Sequence, residues 1–197
     1  MKFLWCDTET TGLKTENAKP FQIAFIFVFS KNEEGSIQKA ETERIYYLNP
    51  FEIPGIEYSP EAAEVHGYTK EQIEAFPSAK ETVAVIKRDL EDFMKFVDNE
   101  KMFFCGYNCK FDYEHMESLF SVFGEDFNKY FLKNMDVYEQ VKRAGDRRVL
   151  PFLENRKLTT VAKHLNIGLE KAHDALSDIR ATREVAKSLT QKGINLL

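Results

Sequence analysis

Acidic side chains follow directly on an apolar segment near the N-terminus. Asp7 and Glu9 come after the apolar residues 3–6. In a strand alternate residues share a face, so both acids point the same way as Trp5. Two like charges that are partly removed from water are unfavourable unless a cation joins them, and such oxygen ligands suit Mg²⁺ or Mn²⁺ rather than zinc. Two solvated acids at an exposed strand end explain this pattern, taken alone, about equally well.

A second acid lies in the motif Gly106-Tyr107-Asn108-Cys109-Lys110-Phe111-Asp112. A predicted strand ends here, Asn108 is placed to cap the following helix, and Asp112 falls in the first turn of that helix. Because the helix dipole favours an acid in the first turn, a structural role explains Asp112 alone at least as well as a catalytic one.

The third motif is His173-Asp174-Ala175-Leu176-Ser177-Asp178. Asp178 lies about one turn inside the last predicted helix, and small residues on the same helix face allow a close approach to the sheet. This approach would bring Asp178 towards Asp7 and Glu9, with His173 over the same place. A loop histidine beside an acid is, alone, more often a surface residue than a base. Asp174 fits helix capping.

Hydrophobic periodicity predicts the elements that must position these motifs. Strands are predicted over 2–8, 21–29, 42–48 and 102–107, a turn over 30–36, and helices over 78–97, from about 110, over 158–168 and over 174–192. Three strands followed by alternating helices and strands indicate an α/β fold whose mixed sheet has an antiparallel meander at one side and parallel crossovers at the other. With 197 residues, the chain is expected to form one domain, 1–197.

Composition excludes several classes of protein. The chain has 27 Lys and Arg against 32 Asp and Glu, which argues against a broad basic surface but not against an enzyme that grips a short nucleic-acid end. The basic segment Arg143–Lys157 fits a solvated loop or an incoming-strand contact equally well. No membrane span or signal peptide is recognisable, so cytoplasm is expected. Cys6, Cys105 and Cys109 form no disulfide framework and are expected to be buried.

Together, the three motifs resemble the DEDDh exonucleases. The patterns are Asp-x-Glu-Thr-Thr-Gly, Asn-x-x-Phe-Asp and His-x-Ala-x-x-Asp-x-x-x-Thr, in this order, and the resemblance runs from Phe3 to Arg183. This is the family of the bacterial replicase proofreading subunit, within the ribonuclease-H-like fold. The resemblance implies a mixed sheet of about five strands flanked by helices. It also implies a metal-dependent 3′→5′ exonuclease that releases nucleoside 5′-monophosphates, with DNA as substrate in proofreading or repair.

The resemblance also implies a role for each matching residue. Asp7, Glu9, Asp112 and Asp178 would hold two Mg²⁺ ions, with Mn²⁺ able to substitute, and His173 would be the general base. The residues that would contact the terminal nucleotide are Thr10, Thr11, Gly12, Leu13, His66 and Phe111, with Leu13 wedged against the base. For Phe111 a core position is the stronger interpretation.

The implied partners are nucleic-acid 3′ ends, either single-stranded or frayed. The chain stops shortly after the third motif, so it is expected to act alone or to join a DNA polymerase subunit in trans, without a membrane. One alternative is an exoribonuclease that trims RNA 3′ ends, and another is a catalytically silent module that binds nucleic acid or a polymerase. An endonuclease or ribonuclease H is disfavoured, because the His173 motif and the Thr-Thr-Gly-Leu segment indicate end recognition.

Overall fold

One mixed sheet lies at the centre of the computed structural model, which describes residues 2–33, 36–97, 99–169 and 172–196. Its strands are β1 (Lys2–Thr10), β2 (Pro20–Glu33), β3 (Ser36–Tyr47), β4 (Met102–Gly106) and β5 (Phe131–Asp136), in the spatial order β3-β2-β1-β4-β5. The first three strands pair antiparallel, whereas β4 runs parallel to β1 and β5 parallel to β4. The carboxyl ends of β1, β4 and β5 therefore share one edge of the sheet.

Helices connect and cover these strands. They are α1 (Pro60–His66), α2 (Lys70–Glu74), α3 (Ala79–Phe96), α4 (Lys110–Val122), α5 (Val137–Asp146), α6 (Leu158–His164) and α7 (Ala175–Gln191). The four predicted helices correspond to α3, α4, α6 and α7, although α6 ends before the predicted Gly168. The short helices α1 and α2 were not predicted, because one or two turns leave too little sequence to show a periodic apolar stripe.

The hairpin of β2 and β3 is longer than its apolar residues indicate. The predicted turn at 30–36 is wrong in its extent, because β2 continues to Glu33 and β3 begins at Ser36. Residues 34 and 35 lie outside the described residues. Polar side chains do not end a strand whose backbone groups are paired with a neighbouring strand, as they are here between residues 30–33 of β2 and residues 36–39 of β3.

The core has two parts, one on each face of the sheet. One part joins Leu4, Cys6 and Phe25 to the apolar sides of α3 and α4. The other joins Trp5 and Ile26 to the apolar sides of α5, α6 and α7. The alternation predicted for β1 is confirmed, and β2 alternates in the same way. Helix α7 therefore covers the face of β1 towards which odd-numbered residues point.

Two predictions from composition are tested by the structure. Cys6, Cys105 and Cys109 are free and buried, as expected. Among the helices of the described residues, none has the combination of length and apolar character that crossing a bilayer requires.

Candidate active site

Two carboxylates project from the carboxyl end of β1. Asp7 pairs with Ala24 of β2, and Glu9 pairs with Gln22, before the register shifts between Glu9 and Thr10. Glu9 is buried, and Asp7 is only partly exposed. Since both are odd-numbered, they lie on the face that α7 covers. The sequence interpretation of two carboxylates on one side of a buried strand end therefore matches the geometry.

Helix α7 brings Asp178 and His173 to the same strand end. The carboxylate oxygens of Glu9 and Asp178 and a ring nitrogen of His173 all lie within 4.8 Å of one another. His173 precedes the helix in a left-handed conformation with φ of 63°, which is unusual for a residue with a Cβ. Its main-chain N–H donates to Asp178 Oδ2 at 3.2 Å. This contact ties the histidine to the acid.

Asp112 approaches from α4, on the other face of the sheet. Its Oδ1 accepts hydrogen bonds from the main-chain N–H of Thr8 at 3.0 Å and from the Thr8 hydroxyl at 2.8 Å. Thr8 points away from Asp7 and Glu9, so it was not part of the predicted site. Thr8 could have been identified from the sequence by its position between Asp7 and Glu9. Burial raises the pKa of Asp112 to about 7, against the lowering effect of the Thr8 hydrogen bonds.

The carboxylates repel one another in the absence of a cation. Burial raises the pKa of Asp7 well above its usual range, and the charges of Asp112, Glu9 and Asp178 raise it further. Burial also raises the pKa of Asp178, although the contact with His173 lowers it. Asp178 Oδ1 is buried and has no hydrogen-bond partner among the described residues. Such an oxygen, beside other acids, fits a divalent cation with oxygen ligands.

Gln22 is a further residue of the site that the sequence analysis missed. Its Nε2 donates to Asp174 Oδ2 at 3.1 Å and to the Tyr47 hydroxyl at 3.0 Å, and its Oε1 accepts from the main-chain N–H of Ala175 at 3.1 Å. Gln22 is fully buried and lies beside Glu9 on β2. It therefore holds the start of α7 against the sheet. The sequence does mark Gln22, because it is the one polar residue in the apolar segment 21–29.

The predicted nucleotide-contacting segment comprises the last residue of β1 and the turn that follows it. Thr10 and Thr11 are buried, and the Thr10 hydroxyl donates to the carbonyl of Gly12 at 2.7 Å. A Cβ on Gly12 would lie 3.3 Å from Ala18 Cβ, so close packing favours glycine here. Leu13 is 82% exposed, which is unusual for leucine and leaves its side chain available to a ligand.

His66 and Phe111 occupy different surroundings. His66 is buried against Phe21, and its Nδ1 accepts a hydrogen bond from the main-chain N–H of Tyr68 at 3.0 Å. The neutral ring therefore carries its hydrogen on Nε2. This nitrogen is buried without a partner among the described residues. Burial and the charge of His173 lower the pKa of His66. The core interpretation of Phe111 is wrong, because Phe111 is half-buried and lies on the His115 ring, outside both core clusters.

Three acids or amides near helix starts have structural roles. Asp174 caps α7, as the sequence predicted, and Asp136, at the end of β5, caps α5. The predicted cap at Asn108 is wrong: Asn108 has a left-handed φ of 56°, and its main-chain N–H donates to Asp136. Asparagine tolerates this conformation, and a turn is therefore made where a cap was expected.

Comparison with known proteins decides the family. The sequence model of the RNase_T family, described as exonuclease, matches residues 4–186. The chain belongs to this exonuclease family. The predicted DEDDh 3′→5′ exonuclease family and ribonuclease-H-like fold are thereby confirmed. A related protein, the PolC-type DNA polymerase III of Clostridium perfringens, is 29% identical over 181 residues, which cover 92% of this chain and 11% of the polymerase.

Solved structures of exonuclease I share the fold. One of them has a TM-score of 0.77 at 22% identity and covers 96% of this chain and 41% of that protein. The E. coli enzyme in complex with a dA16 oligonucleotide has a TM-score of 0.73 at 21% identity, with 96% and 41% covered. The chain thus spans less than half the length of each of these relatives.

Proposed function

We propose that this chain removes nucleotides one at a time from the 3′ end of single-stranded DNA and releases nucleoside 5′-monophosphates. The observation that carries the proposal is the convergence of Glu9, Asp178 and His173 within 4.8 Å at a strand end where Asp7 is also placed. The DNA polymerase and the oligonucleotide-bound exonuclease among the relatives support DNA rather than RNA as the substrate.

The four carboxylates fit two Mg²⁺ ions. The raised pKa values of Asp7, Asp112 and Asp178, together with the partnerless Asp178 Oδ1, indicate a site whose charges need a cation. Asp7, Glu9, Asp112 and Asp178 would hold the ions, with Mn²⁺ as a substitute. When bound, such ions lower the pKa of water and neutralise charge on the leaving oxygen of a phosphodiester.

His173 is the proposed general base. It is exposed, so water and substrate reach its ring, and its main chain is fixed to Asp178. Imidazole is well suited to accept a proton from an attacking water near neutral pH. The left-handed backbone at His173 supports a functional role, because strained conformations persist where the surrounding structure holds them.

The turn after β1 is the proposed seat of the terminal nucleotide. The exposed Leu13 would lie against the terminal base, and Thr10, Thr11 and Gly12 would contact its sugar and phosphate. His66, beside Phe21, would contact the same nucleotide. Phe111, half-buried at the start of α4, would form the remaining wall.

Association with a DNA polymerase is part of the proposal. The PolC-type relative contains the matching segment as 11% of its length. The chain would therefore act next to a polymerase active site and remove 3′ ends that fray from the template. The silent-module alternative is disfavoured, since Glu9, Asp178 and His173 come within 4.8 Å of one another and the charge of Asp112 acts on Asp7.

The test uses a 5′-labelled DNA oligonucleotide and a matched RNA with the purified chain. With Mg²⁺ we expect a descending ladder on single-stranded DNA, slower cleavage of RNA, and no cleavage in excess EDTA. Release of a labelled mononucleotide at the first time point would show the opposite polarity. Undiminished cleavage in EDTA would contradict the metal-dependent mechanism, and faster cleavage of RNA would assign the chain to RNA 3′ ends.

A further inference from the structure

A cleft of about 730 Å³ lies beside α5, outside the site described above. One wall is the exposed side of α5, with Tyr138, and the other is the segment that returns from α5 to α6, with Arg148, Phe152 and Arg156. The segment Arg143–Lys157 contains five basic and two acidic residues in a chain whose net charge is −5. This sequence segment therefore has a local excess of positive charge.

One end of the cleft adjoins the edge of the sheet that carries the catalytic acids. Tyr107 directly follows β4, and its hydroxyl donates to the Arg156 carbonyl at 2.5 Å. Its ring also packs against Tyr138 with the centroids 5.9 Å apart. Because β4 is parallel to β1, the chain leaves β4 at the same edge of the sheet as the carboxyl end of β1, where Asp7 and Glu9 lie. A DNA strand whose 3′ end is bound at that edge can thus continue into the cleft.

Phe152 has an unusual environment for an aromatic side chain. It is 97% exposed, and Leu13 is 82% exposed; these are the two most exposed large apolar side chains among the described residues. One belongs to the proposed nucleotide seat and the other lines the cleft. Nucleic-acid bases stack on exposed aromatic rings, and each such contact contributes about 1–3 kcal/mol to binding.

We propose that this cleft binds nucleotides upstream of the terminal one, with a base stacked on Phe152 and phosphates near Arg148 and Arg156. The inference rests on the proposed function, because it concerns the same DNA strand. Among the described residues, no ion pair engages either arginine. Asp146 and Glu154 also line the cleft, so stacking contributes more to the attraction than neutralisation of phosphate does.

The test measures binding without catalysis. A fluorescent dT12 oligonucleotide is titrated in EDTA with the wild-type chain, with Phe152→Ala, with Phe152→Trp and with the control Leu132→Ala. Leu132 is 61% exposed on β5 and does not line the cleft, so its truncation matches the loss of exposed apolar surface. Because Phe152 is almost fully exposed, its truncation removes little core packing.

We expect Phe152→Ala to weaken binding by roughly 5- to 150-fold, the fold-change that one lost stacking contact predicts. Phe152→Trp should restore the affinity, Leu132→Ala should match wild type, and the loss should shrink as the oligonucleotide is shortened. The dependence of binding on salt should change little in Phe152→Ala.

Equal affinities for wild type and Phe152→Ala would overturn the cleft proposal. Failure of the proposed function is distinguishable from this result. If wild type binds dT12 and Phe152→Ala does not, but neither degrades DNA with Mg²⁺, the cleft stands and the exonuclease proposal fails.

Discussion

Two aspartates near helix starts show how differently the fold treats the same side chain. Asp136 caps α5, and its Oδ1 accepts two main-chain hydrogen bonds, from Tyr138 and Asn108, each at 2.8 Å. Asp178 lies in the first turn of α7, where its Oδ2 accepts from His173 at 3.2 Å. Its Oδ1 is buried without a partner among the described residues. Asp136 stabilises the fold through these hydrogen bonds, whereas one oxygen of Asp178 is left for a ligand from outside the protein.

The two aspartates differ in their effect on the stability of the folded state. A buried polar atom without a hydrogen bond and a group of close like charges both destabilise the folded state. Proteins retain such features chiefly at functional sites, where activity and stability oppose each other. Substitutions at Asp136 and at Asp178 should therefore change the stability of the folded state in opposite directions.

The largest effect is expected from Asp178→Asn on turnover. Loss of one of the four metal-holding carboxylates should lower turnover by roughly 10³-fold or more, since metal ions supply several kcal/mol of charge stabilisation in the transition state. Asp136→Asn keeps a capping oxygen and should retain turnover within a few-fold. The measurement is single-turnover cleavage of a labelled DNA oligonucleotide. Comparable losses in both variants would remove the contrast.

Replacing His173 by Ala should slow turnover by roughly 10²–10⁴-fold, the range for a lost general base. Oligonucleotide affinity should change little. The matched control is His164→Ala, which removes an exposed histidine from α6. The rate of the chemical step and the affinity are measured separately. Near-normal turnover in His173→Ala would make His173 an ordinary surface residue.

Gln22→Met should reduce turnover by roughly 10- to 100-fold, the usual effect of losing a residue that orients metal-holding groups. Methionine conserves the volume but cannot make the hydrogen bonds to Asp174 and Ala175 that hold the start of α7. The control is Gln191→Met on the exposed side of α7. Thermal melting establishes that both variants fold. If turnover is unchanged in Gln22→Met, Gln22 contributes only to packing and does not position the metal-holding groups.

The pH dependence of stability should show the repulsion directly. Burial raises the folded-state pKa of Asp112 to about 7, whereas an unfolded aspartate titrates near 3.9. Protonation thus favours the folded state, so this stability is fully present below the unfolded pKa and is lost as pH rises through the folded pKa. Between about pH 4 and 7, metal-free Asp112→Asn should lose less stability than wild type, by on the order of 1 kcal/mol. Urea unfolding in EDTA measures the free energy of unfolding of both proteins at each pH. If this free energy changes with pH by the same amount in wild type and in Asp112→Asn, the prediction is wrong.

Much of the fold is predictable from local pattern. The alternation in β1 and β2 and the three- and four-residue spacing in α3 come from burial on one side of each element, and burial is visible in the sequence. The short helices α1 and α2 and the length of the β2–β3 hairpin depend on tertiary pairing. The sequence within those segments carries too little periodicity to indicate them.

The candidate site was predictable as a set of residues but not as a set of contacts. The first and third motifs predicted that Asp178 and His173 approach Glu9, and these three side chains lie within 4.8 Å of one another. Asp7 is close enough for the charge of Asp178 to raise its pKa. The hydrogen bonds of Thr8 to Asp112 and of Gln22 to Asp174 join residues more than 100 positions apart. Such pairs are set by strand register and helix placement, which no local pattern encodes.

The most direct test of the contrast is thermal melting of wild type, Asp178→Asn and Asp136→Ala, each with EDTA and with Mg²⁺. Without metal, Asp178→Asn should be more stable than wild type by on the order of 1 kcal/mol, because one repelling charge is gone. Asp136→Ala should be less stable by about 1 kcal/mol, because a helix cap is lost. Mg²⁺ should stabilise wild type and Asp136→Ala by mass action, and Asp178→Asn much less. If metal-free Asp178→Asn melts below wild type and responds equally to Mg²⁺, Asp178 is a structural acid and the proposed metal site is wrong.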